Sequence, residues 1–374
     1  SMLAYNLGDE HPLSPVRREL AAELIRAYGL LRHPDVTVIT PRRATDEEIA
    51  RVHAPAYIAA VKRLGTEPDL AHAWEATQWG LGAGGDTPAF PGMHEAAAAI
   101  CGASIAAALE VWEGRAERCF SAGGGLHHAF ANRAAGFCIY NDCAVAIAAL
   151  LDAGAERVAY IDVDVHHGDG TQWIFYDDPR VLTCSVHESG RYLFPGTGWI
   201  SERGSGAGEG TALNIPLPAF SGDGPYLRAV EEVIGPAVRD FRPDVVVTQN
   251  GADPHHSDPL AHLQVTMHAF PRLYRSLRDI ADDAAQGRWV ALGGGGYTFD
   301  VVPRAWTLLF ATMLGVDPPD EIPAEWLHLA RQRSREDLTP LLRADVEPEA
   351  PAAERARADA EAGEVVDAAR RLVR

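Results

Sequence analysis

Lysine is almost missing from this chain. Lys62 is the only one, so arginine supplies nearly all of the 33 basic residues, which face 52 acidic ones. With abundant Ala and Gly, that bias marks a GC-rich genome more than a function. The formal net charge of −19 excludes unaided binding to nucleic acid or to an anionic membrane surface, since both repel such a field. A cationic substrate would be attracted by it. No apolar run approaches the ~18 residues of a membrane span. No charged segment followed by an apolar one marks a secretory signal, so a cytoplasmic protein is expected. Cysteine is sparse too. Cys101, Cys119, Cys138, Cys143 and Cys184 form no C-x-x-C pair, which excludes a metal knuckle or a redox pair. Their apolar neighbours mark most of them as buried structural thiols. Ser1 ahead of Met2 reads as an expression scar and is set aside.

What is present is a full-sized core: 47% hydrophobic and 23% charged residues are the proportions of a globular protein. Short apolar runs at 118–122, 157–161, 180–186, 244–248 and 288–292 end abruptly in Gly, His or Asp. Asp244-Val245-Val246-Val247-Thr248 shows no alternation, as expected of a parallel strand buried on both faces. Helical patterns at 14–31, 95–113, 141–153, 224–240, 268–286 and 303–314 separate them. Asn141 is a good N-cap, Gly154 a C-terminal glycine and Pro303 a first-turn proline. The pattern predicts an α/β fold: a single-domain open parallel sheet with helices on both faces. The domain is expected to span residues 1–344. Residues 345–374 form an acidic Ala/Arg/Glu-rich helical extension, read as a solvated or packing helix.

The densest chemistry lies at Ile161-Asp162-Val163-Asp164-Val165-His166-His167-Gly168-Asp169-Gly170, directly after an apolar run. Buried charge is costly unless paired or bound to metal. Val163 and Val165 continue the alternation of a half-buried strand, which weighs against a solvated loop. That alternation sends Asp162, Asp164 and His166 to one side and His167 away from it. Carboxylate and imidazole on one face are ligands for a zinc-like cation. Ligands in open α/β sheets bind beyond the carboxyl ends of the strands. There this chain places Gly123-Gly124-Gly125-Leu126-His127-His128, His187, Asn250-Gly251-Ala252-Asp253 and Gly293-Gly294-Gly295-Gly296-Tyr297. No Lys-Ser/Thr follows the four glycines, so a phosphate-binding P-loop is excluded. Asp258, ahead of Pro259, reads as a turn residue. Together the parts fit a metal-assisted hydrolase in which an unligated histidine is the general base and a tyrosine steadies the oxyanion.

The residues also carry a resemblance. Gly124-Gly125-Leu126-His127-His128-Ala129, Gly136-Phe137-Cys138-Ile139-Tyr140-Asn141-Asp142, Ile161 to Gly170, Gly251-Ala252-Asp253 and Gly293 to Tyr297 resemble the zinc-dependent histone deacetylase family. His11-Pro12-Leu13-Ser14-Pro15-Val16-Arg17 and Gly85-Asp86-Thr87-Pro88 agree. Coverage runs from about residue 5 to about 320. Phe90-Pro91-Gly92-Met93 and Asp258-Pro259-Leu260-Ala261-His262-Leu263 look most like the bacterial branch that includes the acetoin-utilisation proteins.

The resemblance implies an amidohydrolase that removes acetyl groups from the ε-nitrogen of lysine, with acetylpolyamines or other small acetamides as the alternative substrates. It implies Asp164, His166 and Asp253 as ligands of Zn2+, with Fe2+ possible for such a donor set. Asp162 then orients His127 and Asp169 orients His128. His128 is the general base toward the attacking water, His127 mainly an electrostatic partner, and Tyr297 the group on the carbonyl oxygen. A K+ or Na+ site would use Asp162, Asp164, His166, Ser185 and Val186. Gly136, Phe137, Phe194 and Leu260 would line a narrow tunnel, with Asp86 at its rim and Arg17 at its inner end; core packing is the plainer reading of Phe194. An acetylpolyamine enzyme would need a long loop insertion, and residues 65–88 are short for it. An arginase-like ureohydrolase would need Asp at Gly168 and Gly251. His255 and His256 are rim or surface histidines, the latter favoured. His94 and His187 share that ambiguity.

Overall fold

The structure is a computed structural model that describes residues 2–8, 11–66 and 73–373. Six strands form one parallel sheet: β1 (Arg118–Ser121), β2 (Val158–Asp162), β3 (Val181–Glu188), β4 (Ala212–Leu217), β5 (Val245–Gln249) and β6 (Trp289–Leu292). Their order is β1-β6-β5-β2-β3-β4. Five of them coincide with the apolar runs. The sixth, β4, does not read as one, because Asn214 and Pro216 interrupt it. At the edge of the sheet a strand tolerates a residue without an N–H.

Successive strand residues point into two separate cores. Ala159, Ile161, Val246 and Ala291 belong to one, with helices Val16–Ala27, Phe270–Ala285 and Val301–Leu314 and the helical stretch 223–241. Val158, Tyr160, Val245, Val247, Val290 and Leu292 belong to the other, with helices Pro55–Thr66, Met93–Trp112 and Asp142–Asp152. Each fully buried Val, Leu or Ile contributes roughly 1.5–3 kcal/mol, an upper figure because unfolded chains are partly compact. Helix Met93–Trp112 is long and apolar enough to cross a membrane. Here it is a core helix packed on Asp142–Asp152. Helix Pro55–Thr66 has no counterpart in the sequence reading, although Tyr57, Ile58, Val61 and Leu64 carry helical spacing and are all buried.

Local sequence sets the elements that reach the site. Asn141 caps helix Asp142–Asp152 by accepting the Ala144 N–H at 2.9 Å, and Gly154 follows its end at φ +105°. The same Asn141 side chain donates to the carbonyls of His127 (2.9 Å) and Ala129 (3.1 Å). Asp142 accepts the N–H groups of Gly125 and Leu126. The cap thus also braces the loop that carries His127 and His128. At the other end of the chain, helix Ala352–Arg370 turns Ala358, Ala362, Val366 and Ala369 inward against β4 and the helix Asp223–Arg228. Four of the cysteines are buried, Cys119 is half-buried, and none is paired.

Candidate active site

The strand register brings one row of residues to the carboxyl edge of the sheet. Asp162 pairs with Ser185 on one side and Gln249 on the other, Gln249 with Leu292, and Leu292 with Ser121. Strand pairing of β2 stops there, although the alternation through Val165 leads one to expect a longer strand. Residues 163–168 form an irregular turn instead. Asp162 Oδ1 accepts the Asp164 N–H (3.2 Å) and Asp164 Oδ1 the His166 N–H (3.0 Å). Val163 and Val165 still enter the core. The acidic side chains therefore double as local caps for the turn that carries them.

That turn brings Asp164, His166 and Asp253 together, all buried, with ligand atoms within 4.8 Å of one another. His166 Nδ1 lies 3.1 Å from Asp164 Oδ1 and 3.2 Å from Asp253 Oδ2. The other oxygen of each carboxylate is already engaged. Asp164 Oδ2 accepts from Gln249 Nε2 (2.6 Å) and the Gly295 N–H (2.8 Å), and Asp253 Oδ1 accepts the Val165 N–H (2.9 Å). The remaining oxygens, Asp164 Oδ1 (which also accepts the His166 N–H) and Asp253 Oδ2, converge on one ring nitrogen of His166. Burial alone would lower the His166 pKa, yet Asp164 and Asp253 push it well above the ordinary imidazole range. Burial and the Asp164 charge push Asp253 upward. A trio that draws positive charge this strongly fits a divalent cation, which would supply the charge and leave Nδ1 free to ligate.

Beside the trio stand two His–Asp pairs. His127 Nδ1 donates to Asp162 Oδ2 at 2.7 Å, an oxygen that also accepts the Tyr160 hydroxyl at 2.7 Å. His128 Nδ1 donates to Asp169 Oδ1 at 2.7 Å. The two Nε2 atoms are 3.0 Å apart. Their pKa values move in opposite directions. Burial lowers His127, but Asp162 and Asp164 outweigh it and hold the ring at about 9. Burial and the neighbouring His127 charge push His128 down to about 4. At neutral pH the pair is therefore one imidazolium and one neutral imidazole.

Of these groups, His127, His128, Asp164 and His166 line a cleft of about 280 Å³. Tyr297 lines it too, and burial with the nearby Asp253 and Asp164 charges raises its hydroxyl well above the ordinary range, so it stays a donor. Arg17 lies buried at the cleft, donating to the carbonyls of Gly294 (2.8 Å) and Gly296 (2.9 Å). Gly136 and Phe137 are both left-handed, at φ +52° and +69°. A Cβ on Gly136 would fall 2.3 Å from the His128 ring, so only glycine lets the wall approach that closely. The turn sets the Phe137 ring edge-on to Tyr297 at 5.8 Å. Asp86 holds this turn by accepting the Gly136 N–H at 3.0 Å. Phe194, 45% exposed, puts its ring edge-on to His128 at 5.0 Å and is not core packing. Leu260 is half-buried, its N–H on Asp258. Ser185 sits beside Asp162 and shares a hydrogen bond with His187 (2.8 Å), and Val186 is fully buried.

Several polar residues prove to be interior. Gln249 clasps Asp164 and also accepts the Gly251 N–H at 2.8 Å. Asp258 is a turn residue that also accepts the Tyr297 N–H at 2.9 Å. His255 and His256 are not surface groups, since both are buried against Asp345. His167, expected to point away from the metal, is buried between Thr197 and Gln172, and His187 is bonded to Ser185 and the Gly198 carbonyl. His94 bonds the Tyr140 hydroxyl. Of the short loop 65–88, residues 67–72 lie outside the described residues.

An open parallel sheet with buried carboxylate–imidazole clusters at its strand ends defines a metal-dependent hydrolase of the arginase/deacetylase architecture. The chain belongs to the histone deacetylase family: the histone deacetylase domain model matches residues 11–313, and the protein is accordingly a deacetylase, a hydrolase that works with a metal. It is 46% identical to the acetoin utilization protein AcuC of Bacillus subtilis over 328 residues, covering 87% of this chain and 84% of that protein. It is 39% identical to AcuC of Staphylococcus xylosus with the same coverage, and 38% to that of Staphylococcus aureus over 90% of this chain and 86% of the relative.

Proposed function

We propose that the protein hydrolyses N-ε-acetyl-lysine in proteins, releasing acetate and the free lysine amine, with Zn2+ held by Asp164, His166 and Asp253. The observation that carries this reading is the geometry: the His127–Asp162 and His128–Asp169 pairs, each 2.7 Å apart, stand beside the buried Asp164, His166 and Asp253 trio. When bound, the metal supplies a Lewis acid that polarises the acyl carbonyl and acidifies a water. His128, its Nδ1 fixed by Asp169, takes the proton of the attacking water on Nε2 and delivers it to the departing amine nitrogen as the amide C–N bond breaks. His127, oriented by Asp162, keeps its positive charge and stabilises negative charge developing at the reacting centre. Tyr297 donates its hydroxyl to the carbonyl oxygen as that oxygen becomes anionic. Phe137, Phe194, Gly136 and Leu260 flank the aliphatic stem of the lysine, Asp86 meets the substrate at the rim, and Arg17 faces the leaving acetate.

Fe2+ is the alternative metal, since two carboxylates and one imidazole accept either ion. A K+ or Na+ ion is assigned to the Asp162–Ser185 row, with Asp164, His166 and Val186. A second divalent ion of the ureohydrolase kind has no support. Gly168 and Gly251 supply no carboxylate at the two positions such an ion would need, and a Cβ at either would displace Asp162 or Asp164, lying 2.2 Å from its Oδ2. Acetylpolyamines and small acetamides remain the second substrate class. Residence in the bacterial cytoplasm, without nucleic-acid or membrane partners, belongs to the same proposal.

The test is a turnover panel of acetyl-lysine peptides, acetylpolyamines and longer acyl-lysines, run on wild type, His128→Ala and Tyr297→Phe. Peptides are expected to be the best substrates, and each substitution to cost ~10²–10⁴-fold in turnover. Preference for free polyamines would overturn the substrate assignment. Unchanged turnover in both variants would overturn the mechanism.

A further inference from the structure

His255 and His256 follow Asp253 by two and three positions, and their side chains converge on a single acceptor. Asp345 Oδ2 lies 3.0 Å from His255 Nε2, and Oδ1 lies 3.0 Å from His256 Nε2. The same carboxylate accepts the Met267 N–H on Oδ2 and the Val346 N–H on Oδ1. Two imidazoles and a carboxylate with ligand atoms within 4.8 Å have the composition of a second metal site. The hydrogen bonds point elsewhere. His255 Nδ1 accepts the Ser257 N–H at 3.2 Å and lies 2.9 Å from the Ser257 hydroxyl, while Nε2 faces a carboxylate oxygen, which can only accept, and so donates to it. The two rings lie side by side, 4.4 Å apart at 32°, each aimed at its own oxygen. Each oxygen of Asp345 thus receives one ring N–H and one backbone N–H.

This clamp acts on the segment that carries Asp253. Residues 253–258 belong to no helix or strand, so side-chain anchors and a few loop hydrogen bonds hold their course. The His255 N–H bonds the Ala252 carbonyl (3.3 Å), the His256 N–H bonds the Val265 carbonyl (2.9 Å), and Asp345 gathers both side chains together with Met267. The distance at stake is the 3.2 Å between Asp253 Oδ2 and His166 Nδ1.

We propose that Asp345 is a positioning residue for the reaction: through His255 and His256 it holds the Asp253 segment where its carboxylate meets the metal, so metal binding depends on the C-terminal segment. The inference rests on the assignment of Asp253 as a ligand.

The test titrates metal-stripped full-length wild type, Asp345→Ala and Asp345→Asn with Co2+, following the visible absorption bands and competing with a chelator. Thermal unfolding of the metal-free proteins is measured in parallel. Wild type is expected to bind one equivalent. Asp345→Ala should bind it ~10–100-fold more weakly, the range seen when groups behind metal ligands are lost, with an altered absorption spectrum. Asp345→Asn, which keeps one acceptor oxygen, should fall between. Wild-type affinity and spectrum in both variants, with only a lower melting temperature, would overturn the proposal. Two equivalents in wild type, one of them lost in Asp345→Ala, would also overturn it by making the cluster a metal site. A wild type that binds no Co2+ would instead remove the ligand assignment on which the inference stands. If Asp345→Ala does not fold, Asp345→Asn and His256→Asn carry the comparison.

Discussion

His127 and His128 are adjacent, equally buried and each paired with one carboxylate, yet they hold opposite charge states. The difference comes from their surroundings. His127 feels Asp162, Asp164 and Asp169, whereas His128 feels the imidazolium beside it. A pH dependence follows. The rate kcat/KM should rise with pH as His128 loses its proton and fall again as His127, held at about 9, loses its own. In His127→Asn burial still depresses His128, but the neighbouring positive charge is gone. The acidic limb should therefore shift to higher pH, alongside a fall in rate of ~10²-fold or more. A pH–rate profile in which that limb stays put or moves down would contradict the coupling. The residue types of the site are legible in the sequence because Asp162, Asp164, His166 and Asp169 are local neighbours. Asp258 is legible only as a turn, because its second partner, the Tyr297 N–H, is 39 positions away.

At the scale of elements, the loops after the strands carry the candidate catalytic residues and the helices behind them hold the loops in place. Helix Asp142–Asp152 braces His127 through Asn141 and Asp142, and the left-handed pair Gly136-Phe137 sets the wall of the cleft. Gly136→Ala should be expensive for function and modest for stability. The added Cβ meets the His128 ring, and the left-handed backbone costs about 1–3 kcal/mol. Turnover should drop by at least ~10²-fold while urea unfolding shifts by no more than that strain. Near-normal turnover would show that the cleft relaxes around the methyl. The parallel strands buried on both faces were readable as uninterrupted apolar runs. Strand β4 was not, because a sheet edge accepts Asn214 and Pro216 and so carries no such signature.

For the molecule as a whole, the C-terminal helix Ala352–Arg370 packs into the fold. The helix packs against β4, the edge strand of the sheet, and an uncovered edge would invite pairing with another chain; Val366 is fully buried. Val366→Ala should cost about 2 kcal/mol in urea denaturation. At exposed Glu364 an Ala should change stability by under about 0.5 kcal/mol. Equal effects at the two positions would mean that the helix does not contribute to the core.

Sequence alone determined the parallel α/β architecture, the strand ends that carry the chemistry and the family. Each of these depends on residue types and spacing along one stretch of chain, where periodicity and adjacency are directly visible. Tertiary structure alone decided which oxygen of Asp164 and of Asp253 faces the His166 ring. It also decided that His127 is charged while His128 is neutral, and that His255 and His256 are interior donors to Asp345. Those outcomes depend on burial and on partners brought from distant positions: Gln249 to Asp164, Val165 to Asp253, and Asp345 to the histidines. A hydrogen bond or a charge interaction is set by separation in space, and only folding fixes that separation.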